Sequence, residues 1–540
     1  MRNCGDYDFI VVGAGSAGCV LANRLTACGK YRVLLLEAGG RDSNPWIHIP
    51  LGYGKLFKDS KVNWLYETEP QTQLNNRRIA QPRGKVLGGS SSINGLVYIR
   101  GQQQDFDGWR DAGNHGWGWD DVLPYFIKAE DQVHGEDEFH GVGGPLSVSD
   151  QSEPHELCDA FIAAAEQYGL PRNDDFNGAA QEGAGYYQTT SRKGVRCSSA
   201  KAYLAPARQR SNLTIMTGAL VTRVRFDGVV ANGVEWLSQG QPCYARAGRE
   251  VILSGGAINT PQLLQLSGIG PAPLLAQYGV ELVHDLPGVG EGLQDHLQVR
   301  TVNRCTKPIT LNDDMQSLWR QARLGLRYAL FRKGGLTISA GYAGAFYRTA
   351  AELSRPDIQV HFITFSTTRM GDQLHPYSAF TASVCQLRPE SRGSVRIQSA
   401  DPAIAPTIDP NYLAAEIDRT TNVEGLKVLR EILQAPAMRP FIESEVEPGP
   451  ECVSDQDLLE YCRQQGASIY HPTCTARMGS DELAVVDERL QVRGVRGLRV
   501  ADGSIMPSLV SGNSNAAIIM IGEKAADMIL EDCNRMGATG

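Results

Sequence analysis

DYDFIVVGAGSAGCVLANRLTACGKYRVLLLEAGG, residues Asp6 to Gly40, contains in order a strand, a glycine turn, a helix and a second strand. Asp6 to Val12 is a short apolar run rich in β-branched and aromatic residues, the pattern of a strand buried on both faces of a parallel sheet. Gly13-Ala14-Gly15-Ser16-Ala17-Gly18 follows at once. The first glycine permits a tight turn, the second lets a pyrophosphate approach the backbone, and the third lets the next helix pack on the strand. Cys19 to Cys28 has helix-forming composition, and the N-terminus of that helix presents free N–H groups and a positive dipole end to an anion. Tyr31 to Leu36 is the second strand, and it ends in Glu37, nineteen positions after Gly18. A carboxylate there accepts both ribose hydroxyls and repels a 2′-phosphate, which favours FAD or NAD over NADP.

At 540 residues the chain is long enough for two or three domain-sized units. A formal net charge of −8 provides no basic footprint for a polyanion, so nucleic-acid binding is disfavoured. The 58 glycines exceed the usual share of roughly 7%, as expected where backbone turns tightly or lies against a ligand. Twelve cysteines occur without any CxxC pair, which argues against a zinc knuckle or a dithiol redox site and suits free thiols in a reducing compartment. No histidine pair has a metal-ligand spacing such as HExxH, so no metal is expected. The first strand begins within about seven residues, leaving no room for a cleavable leader, and no apolar run approaches the roughly 18 residues of a transmembrane span. The expectation is a cytoplasmic protein, with peripheral association at the inner membrane left open.

Further along, Gly84 to Arg100 (GKVLGGSSSINGLVYIR) is a second glycine and serine loop running into an apolar segment. Asn212 to Arg225 and Gly233 to Leu237 alternate apolar and polar residues, as antiparallel strands do. Glu250 to Ser254 reads as a short buried strand, and Thr260 to Leu266 as a helix with Pro261 at an early position, where its missing N–H costs little. Between Thr306 and about Tyr470 the pattern changes to a helix over Met315 to Phe331 and strands at Ile358 to Phe365, Ala379 to Leu387 and Ser394 to Ile397. Leu498 to Asp502 is one more short strand, and Ala516 to Asp532 a closing helix. The expected organisation is a discontinuous cofactor unit (1–150, 192–305 and 474–540) with a substrate unit (151–191 and 306–473) inserted.

Four segments carry a family resemblance. Besides the opening unit they are GKVLGGSSSINGLVYIRGQQQDFD from Gly84, GAINTPQLLQLSGIG from Gly256, and the late pair HPTCTARMG from His471 and ADGSIMPSLVSGNSNAAIIMIGEKAAD from Ala501. The sequence resembles the glucose–methanol–choline (GMC) oxidoreductases, closest in appearance to bacterial choline and alcohol dehydrogenases. The fold this implies is α/β, α+β overall: a Rossmann-like FAD-binding domain with an inserted substrate domain built on an antiparallel sheet flanked by helices. By resemblance, Gly13, Gly15, Ser16, Ala17, Gly18, Glu37 and Ala38 hold FAD, joined by Gly88, Gly89 and Ser90. Asn94, Gly95, Leu96 and Val97 lie along the flavin edge, Val221 and Ala257 near the adenosine half, and Asp502 and Gly503 by the pyrophosphate; Asn515 and Ala516 complete the set. Some members bond their flavin covalently through a histidine just before this asparagine. Ile93 stands there, so the FAD is expected to be noncovalent.

The resemblance places His471 as general base, taking a hydroxyl proton as hydride passes to flavin N5, and Asn515 as the partner that hydrogen-bonds the alkoxide. Imidazole suits that exchange near neutrality. His296 and the remaining histidines take structural or surface roles by default. The implied activity is oxidation of a primary alcohol to an aldehyde, with electrons passed to a quinone, another carrier or O2. An O2-using oxidase, a choline dehydrogenase and a hydroxynitrile lyase remain open. Choline requires an aromatic cage with an acid nearby; the corresponding stretch is Ser339 to Phe346, where Tyr342 occupies the expected acid position, which favours an uncharged alcohol.

Overall fold

The computed structural model describes residues 1–538. Its first sheet is built from β1 (Arg2–Val12), β2 (Val33–Glu37), β3 (Leu213–Thr217), β4 (Ala219–Asp227), β5 (Val230–Ser238) and β6 (Gln241–Leu253), in the order β3-β2-β1-β6-β5-β4. β1 pairs in parallel with β2 and β6, β2 with β3, and β6 with the short strand Leu498–Val500. β4 and β5 continue from β6 as an antiparallel meander. β2, VLLLE, is buried along its whole length, as a strand covered on both faces must be.

Helix α1 (Ser16–Thr26) lies against this sheet and against the closing helix Asn515–Ala538. The two helices approach closely because residue 522 is glycine: a Cβ there would stand 3.1 Å from the Ala17 Cα and 3.0 Å from the Val20 Cβ. They are also cross-linked by a bidentate pair, Arg24 Nε and Nη2 to the buried Glu523 carboxylate at 2.8 and 2.6 Å.

Helix α2 (Gly256–Leu266) begins four residues earlier than the sequence suggests, so Pro261 sits in its second turn. The carbonyl of Ala257, four residues back, therefore has no helical donor. The Thr475 hydroxyl donates to it at 2.7 Å, which removes the cost that made an early proline the simpler reading.

The second sheet is antiparallel: β7 (Leu297–Cys305), β8 (Ala343–Tyr347), β9 (Ile358–Ile363), β10 (Ala379–Gln386) and β11 (Ile442–Glu447), in the order β11-β7-β10-β9-β8, with Gly183–Tyr186 on the far edge of β8. β7 corrects the boundary expected at 305, because its hydrogen bonds to β10 and β11 put residues 297–305 in this unit. Ser394 to Ile397 departs from expectation in the other direction. Its strand pairs with Glu291–Leu293, and Ile397 N–H donates to Gln265 of α2 at 2.7 Å, so it packs on the first unit. Each unit has its own hydrophobic core, one around β1, β2, α1 and the closing helix, the other around β7 to β10 and the helices Glu156–Tyr168 and Glu416–Gln434. Helix α3 (Leu318–Phe331) lies on the outside of the second unit, and α4 (Asn515–Ala538) ends the described chain. Among the described residues no helix is long and apolar enough to cross a membrane, and no cluster of His, Cys, Asp and Glu is arranged to hold a metal ion.

Candidate active site

A cavity opens at the carboxyl ends of β1, β2, β6 and Leu498–Val500, where open parallel sheets place ligands. Its floor is the glycine turn. A Cβ on Gly13 would lie 2.5 Å from the Ser254 carbonyl oxygen, and one on Gly18 only 1.9 Å from that of Gly13, so protein packing alone demands these two glycines. Gly15 differs: its nearest protein atom would be 3.8 Å away, so nothing in the chain itself requires a glycine there. Gly15 lines the cavity, which leaves close approach of a ligand as the demand.

Glu37 is buried at the same cavity, accepting from Ala14 N–H at 3.0 Å and Gly39 N–H at 2.8 Å. Burial pushes its carboxyl up to about 7, and those two backbone bonds oppose the rise. Two carboxylate oxygens have about four acceptor sites, so two remain for a diol. Ser16, Ala17, Ala38, Gly89, Ser90, Val221, Ala257 and Gly503 also line the cavity, whereas Gly88 and Ala516 do not. Gly88 instead donates its N–H to the Ala14 carbonyl at 2.7 Å, joining the two glycine loops. Asp502 lines the cavity but its carboxylate is already engaged, by Gly256 N–H and the Thr260 hydroxyl on one oxygen and by Ser504 on the other. It occupies the first N–H of α2 and so organises the start of that helix, while the N-terminus of α1 is left to face an anion.

A second cavity adjoins the first and shares Ser16, Arg83, Ser90 and Ile518 with it. Asn94, Gly95, Leu96 and Val97 form one wall. The buried Arg196 donates from Nη1 to Asn94 Oδ1 at 2.5 Å, fixing the amide so that its Nδ2, which makes no hydrogen bond among the described residues, is the atom left for a ligand. His471 stands on another wall, next to His296, His361 and Asn513.

The tautomer of His471 follows from its neighbours. His296 Nε2 faces the Leu387 carbonyl at 2.9 Å, and a carbonyl only accepts, so that nitrogen carries the proton. The neutral His296 ring then offers a lone pair at Nδ1, 3.0 Å from His471 Nδ1, which must be the donor. The Nε2 of His471 is left with the lone pair, and Asn513 Nδ2 donates toward it at 3.2 Å. Gln359 Nε2 donates to Asn513 Oδ1 at 3.1 Å, which sets that amide's orientation as well. Burial first, and then the neighbouring His296, His361 and Arg83, hold His471 well below the ordinary imidazole range. It is therefore neutral at neutral pH.

This arrangement corrects two expectations. Asn515, expected beside His471, accepts from the Ser16 hydroxyl at 2.8 Å and so ties the first residue of α4 to the first residue of α1. Asn515 lines the same cavity, but the amide that donates to His471 is that of Asn513. Of Ser339 to Phe346 only Ala340 lines the second cavity; Tyr342 donates its hydroxyl to the Glu153 carbonyl at 2.6 Å and lines a pocket beneath α3.

The family model described as GMC oxidoreductase matches residues 7–298 with its N-terminal part and 389–522 with its C-terminal part. The chain belongs to the GMC oxidoreductase family. As a GMC oxidoreductase it is similar to an alcohol dehydrogenase (acceptor) of Pseudomonas putida, 45% identical over 527 residues, 97% of this chain and 96% of that protein. It is 44% identical over 529 residues to an oxygen-dependent choline dehydrogenase of Photobacterium profundum, covering 97% and 93%. Among solved structures it is similar to pyridoxine 4-oxidase from Mesorbium loti, with a TM-score of 0.88 and 32% identity over 97% of this chain and 99% of that one. A formate oxidase superposes with a TM-score of 0.91 at 27% identity, covering 98% and 99%.

GMC enzymes are FAD flavoproteins, and the two joined cavities fit that elongated group: an unforced glycine at Gly15, an acid at Glu37 and a flat wall at residues 94–97. Ile93, which lines the second cavity, has no nucleophile. Sequence reasoning missed Arg83, Arg196, His296, His361 and Asn513. For Asn513 the repeated asparagine of GNSNAA was the available signal; the others lie in unremarkable segments.

Proposed function

We propose that this chain oxidises an uncharged, largely apolar primary alcohol to its aldehyde, with His471 Nε2 as the proton acceptor and Asn513 Nδ2 as donor to the substrate oxygen. FAD, when bound, supplies the two-electron acceptor for the alcohol's hydride. Glu37, Gly15, Ser16 and the 88–97 loop hold it, with Asn515 bracing the start of α1. The observation that carries the reading is the His296–His471–Asn513 chain, which puts the one lone pair of a buried neutral imidazole on Nε2 at the cavity wall, where an entering hydroxyl would replace the Asn513 amide as its hydrogen-bond donor. A base in that state collects a hydroxyl proton without first losing one of its own.

The lining of the second cavity supports a neutral substrate. Among the described residues that line it there is no Asp or Glu, Arg83 contributes a cation, and Phe57, Ile363, Met370 and Tyr470 are apolar or aromatic. A quaternary ammonium gains nothing from Arg83 and finds no carboxylate. His361 adds a polar edge: burial lowers it to about 3, so it is a neutral ring, and neither of its nitrogens makes a hydrogen bond of normal geometry. Two electrons then leave to an external acceptor, a quinone, another carrier or O2.

Anaerobic mixing of the yellow holoprotein with medium-chain alkanols, benzyl alcohol and choline tests this. Bleaching of the flavin by the neutral alcohols, at least tenfold faster than by choline, is the expected outcome for a difference of about 1.4 kcal/mol in binding. Faster bleaching by choline refutes the neutral-substrate reading, and a flavin that stays oxidised with every alcohol refutes the oxidation itself.

A further inference from the structure

We propose that α3 is a membrane-docking helix, whose outward face enters the interfacial region of an anionic phospholipid bilayer. Leu318, Trp319, Leu326 and Leu330 are 83%, 78%, 60% and 64% exposed. Leu318, Ala322, Leu326 and Leu330 recur every fourth residue and so form one stripe along the helix, with Trp319 beside it. The opposite side holds the helix to the protein: Leu324 and Tyr328 are its only buried residues, Tyr328 donates its hydroxyl to the Gly194 carbonyl at 3.1 Å, and Arg327 pairs with Glu153. The helix therefore has two apolar faces, of which the protein covers one. Single exposed leucines are ordinary, whereas a contiguous stripe of this size marks an interaction surface.

Charge selects the partner. Residues 318–333 contain four arginines and one lysine and no acid, in a chain of net charge −8. Arg320, Arg323 and Lys333 form no ion pair among the described residues. Leucines and an indole flanked by long cationic side chains match the boundary between acyl chains and anionic headgroups, the stems lying along the apolar layer while the charges reach phosphate. A second copy of the chain fits poorly, since it would bring Arg320, Arg323 and Lys333 of both copies, none of them in an ion pair among the described residues, against one another.

The turn before α3 is linked to the wall of the substrate cavity. Asn312, in the helical turn Leu311–Met315 just before α3, donates to the carbonyls of Ser366 and His375, which bracket the turn that carries Met370 to the cavity wall. The start of α3 is thereby tied to one wall of the substrate cavity.

Co-sedimentation of the FAD-loaded full chain with phosphatidylcholine vesicles, with and without about 30% phosphatidylglycerol, tests the proposal. Wild type should pellet with the anionic vesicles, W319E/L326E should bind about tenfold more weakly, and R320E/K333E should lose the dependence on phosphatidylglycerol. FAD content should be unchanged in all. In vesicles with brominated acyl chains, tryptophan emission should be quenched in wild type and quenched less in Trp319→Phe, a change that preserves the fold. Wild-type protein that stays in the supernatant overturns the proposal, as does unaltered vesicle binding by W319E/L326E. A lipid-independent dimer that W319E/L326E dissociates would assign the face to a second copy instead.

Discussion

His296 and His471 face each other through their Nδ1 atoms at 3.0 Å, although 175 positions separate them in the chain. Only one proton fits between two such nitrogens, and the Leu387 carbonyl decides which ring holds it. In the proposed reaction His296 acts on His471 through its tautomer, as a positioning residue that does not itself line the cavity.

His296→Gln is expected to slow flavin reduction by roughly 10–100-fold without loss of FAD, against roughly 10²–10⁴-fold for His471→Ala. The pH profile separates a positioning role from simple damage. In the native protein burial, and next the neighbouring His296, hold His471 low, so the rate should stay flat through neutrality and fall only well below about pH 6.5. Removing His296 lifts part of that depression, and the acid limb should move to higher pH. An unmoved limb measured by anaerobic stopped flow would deny His296 this role.

The two asparagines should separate cleanly. Asn513→Ala removes the amide that faces His471 Nε2 and should lower the rate of flavin reduction by about 10²-fold while FAD remains bound, the scale for losing one donor to a developing oxyanion. Asn515→Ala breaks the bond to Ser16 and should weaken FAD retention on gel filtration with a smaller effect on the rate of the loaded fraction. The reverse pattern would restore Asn515 to the role first expected of it.

Gly15 and Gly18 offer a second contrast. Gly15→Ala meets no protein atom closer than 3.8 Å, so the apoprotein should keep its circular dichroism and melting temperature and lose at least tenfold in FAD affinity. Gly18→Ala would set a methyl 1.9 Å from the Gly13 carbonyl oxygen and should destabilise the fold itself, by about 3 kcal/mol or more. For the wild type, acid precipitation should release all FAD to the supernatant; flavin left on the precipitated chain would contradict the reading of Ile93.

His140 predicts how stability depends on pH. Its Nδ1 lies 2.9 Å from Glu130 and its Nε2 3.0 Å from Asp175. Burial alone would lower it, but the hydrogen bonds to Asp175 and then Glu130 outweigh that and raise it to about 9. The folded protein thus keeps a proton that the unfolded chain, at about 6.5, gives up, so this stabilisation is complete below about pH 6.5 and lost as pH climbs through 9. Urea titrations at about pH 6 and about pH 10 should show wild type losing about 2 kcal/mol more than His140→Gln. Equal losses would show that His140 is not the group responsible.

By itself the sequence determined the parts whose physics is local. A strand, three glycines, a helix and an acid within Asp6–Gly40 specify a dinucleotide fold, because each requirement is met within one or two turns of chain; Gly13 and Gly18 follow from contacts inside the same segment or with the adjoining strand end. His471, the proposed base, was singled out by its motif and lies at the second cavity. Tertiary structure alone decided the rest. β7 joined the second sheet because pairing partners 75 or more residues away supplied its hydrogen bonds. Pro261 was accommodated mid-helix because Thr475, 218 positions from Ala257, replaced the missing donor. Asn513 rather than Asn515 donated to His471, and His296 fixed its tautomer because one carbonyl at Leu387 chose where the proton sits. Periodicity states which face of an element is buried, but not what a polar atom will meet there.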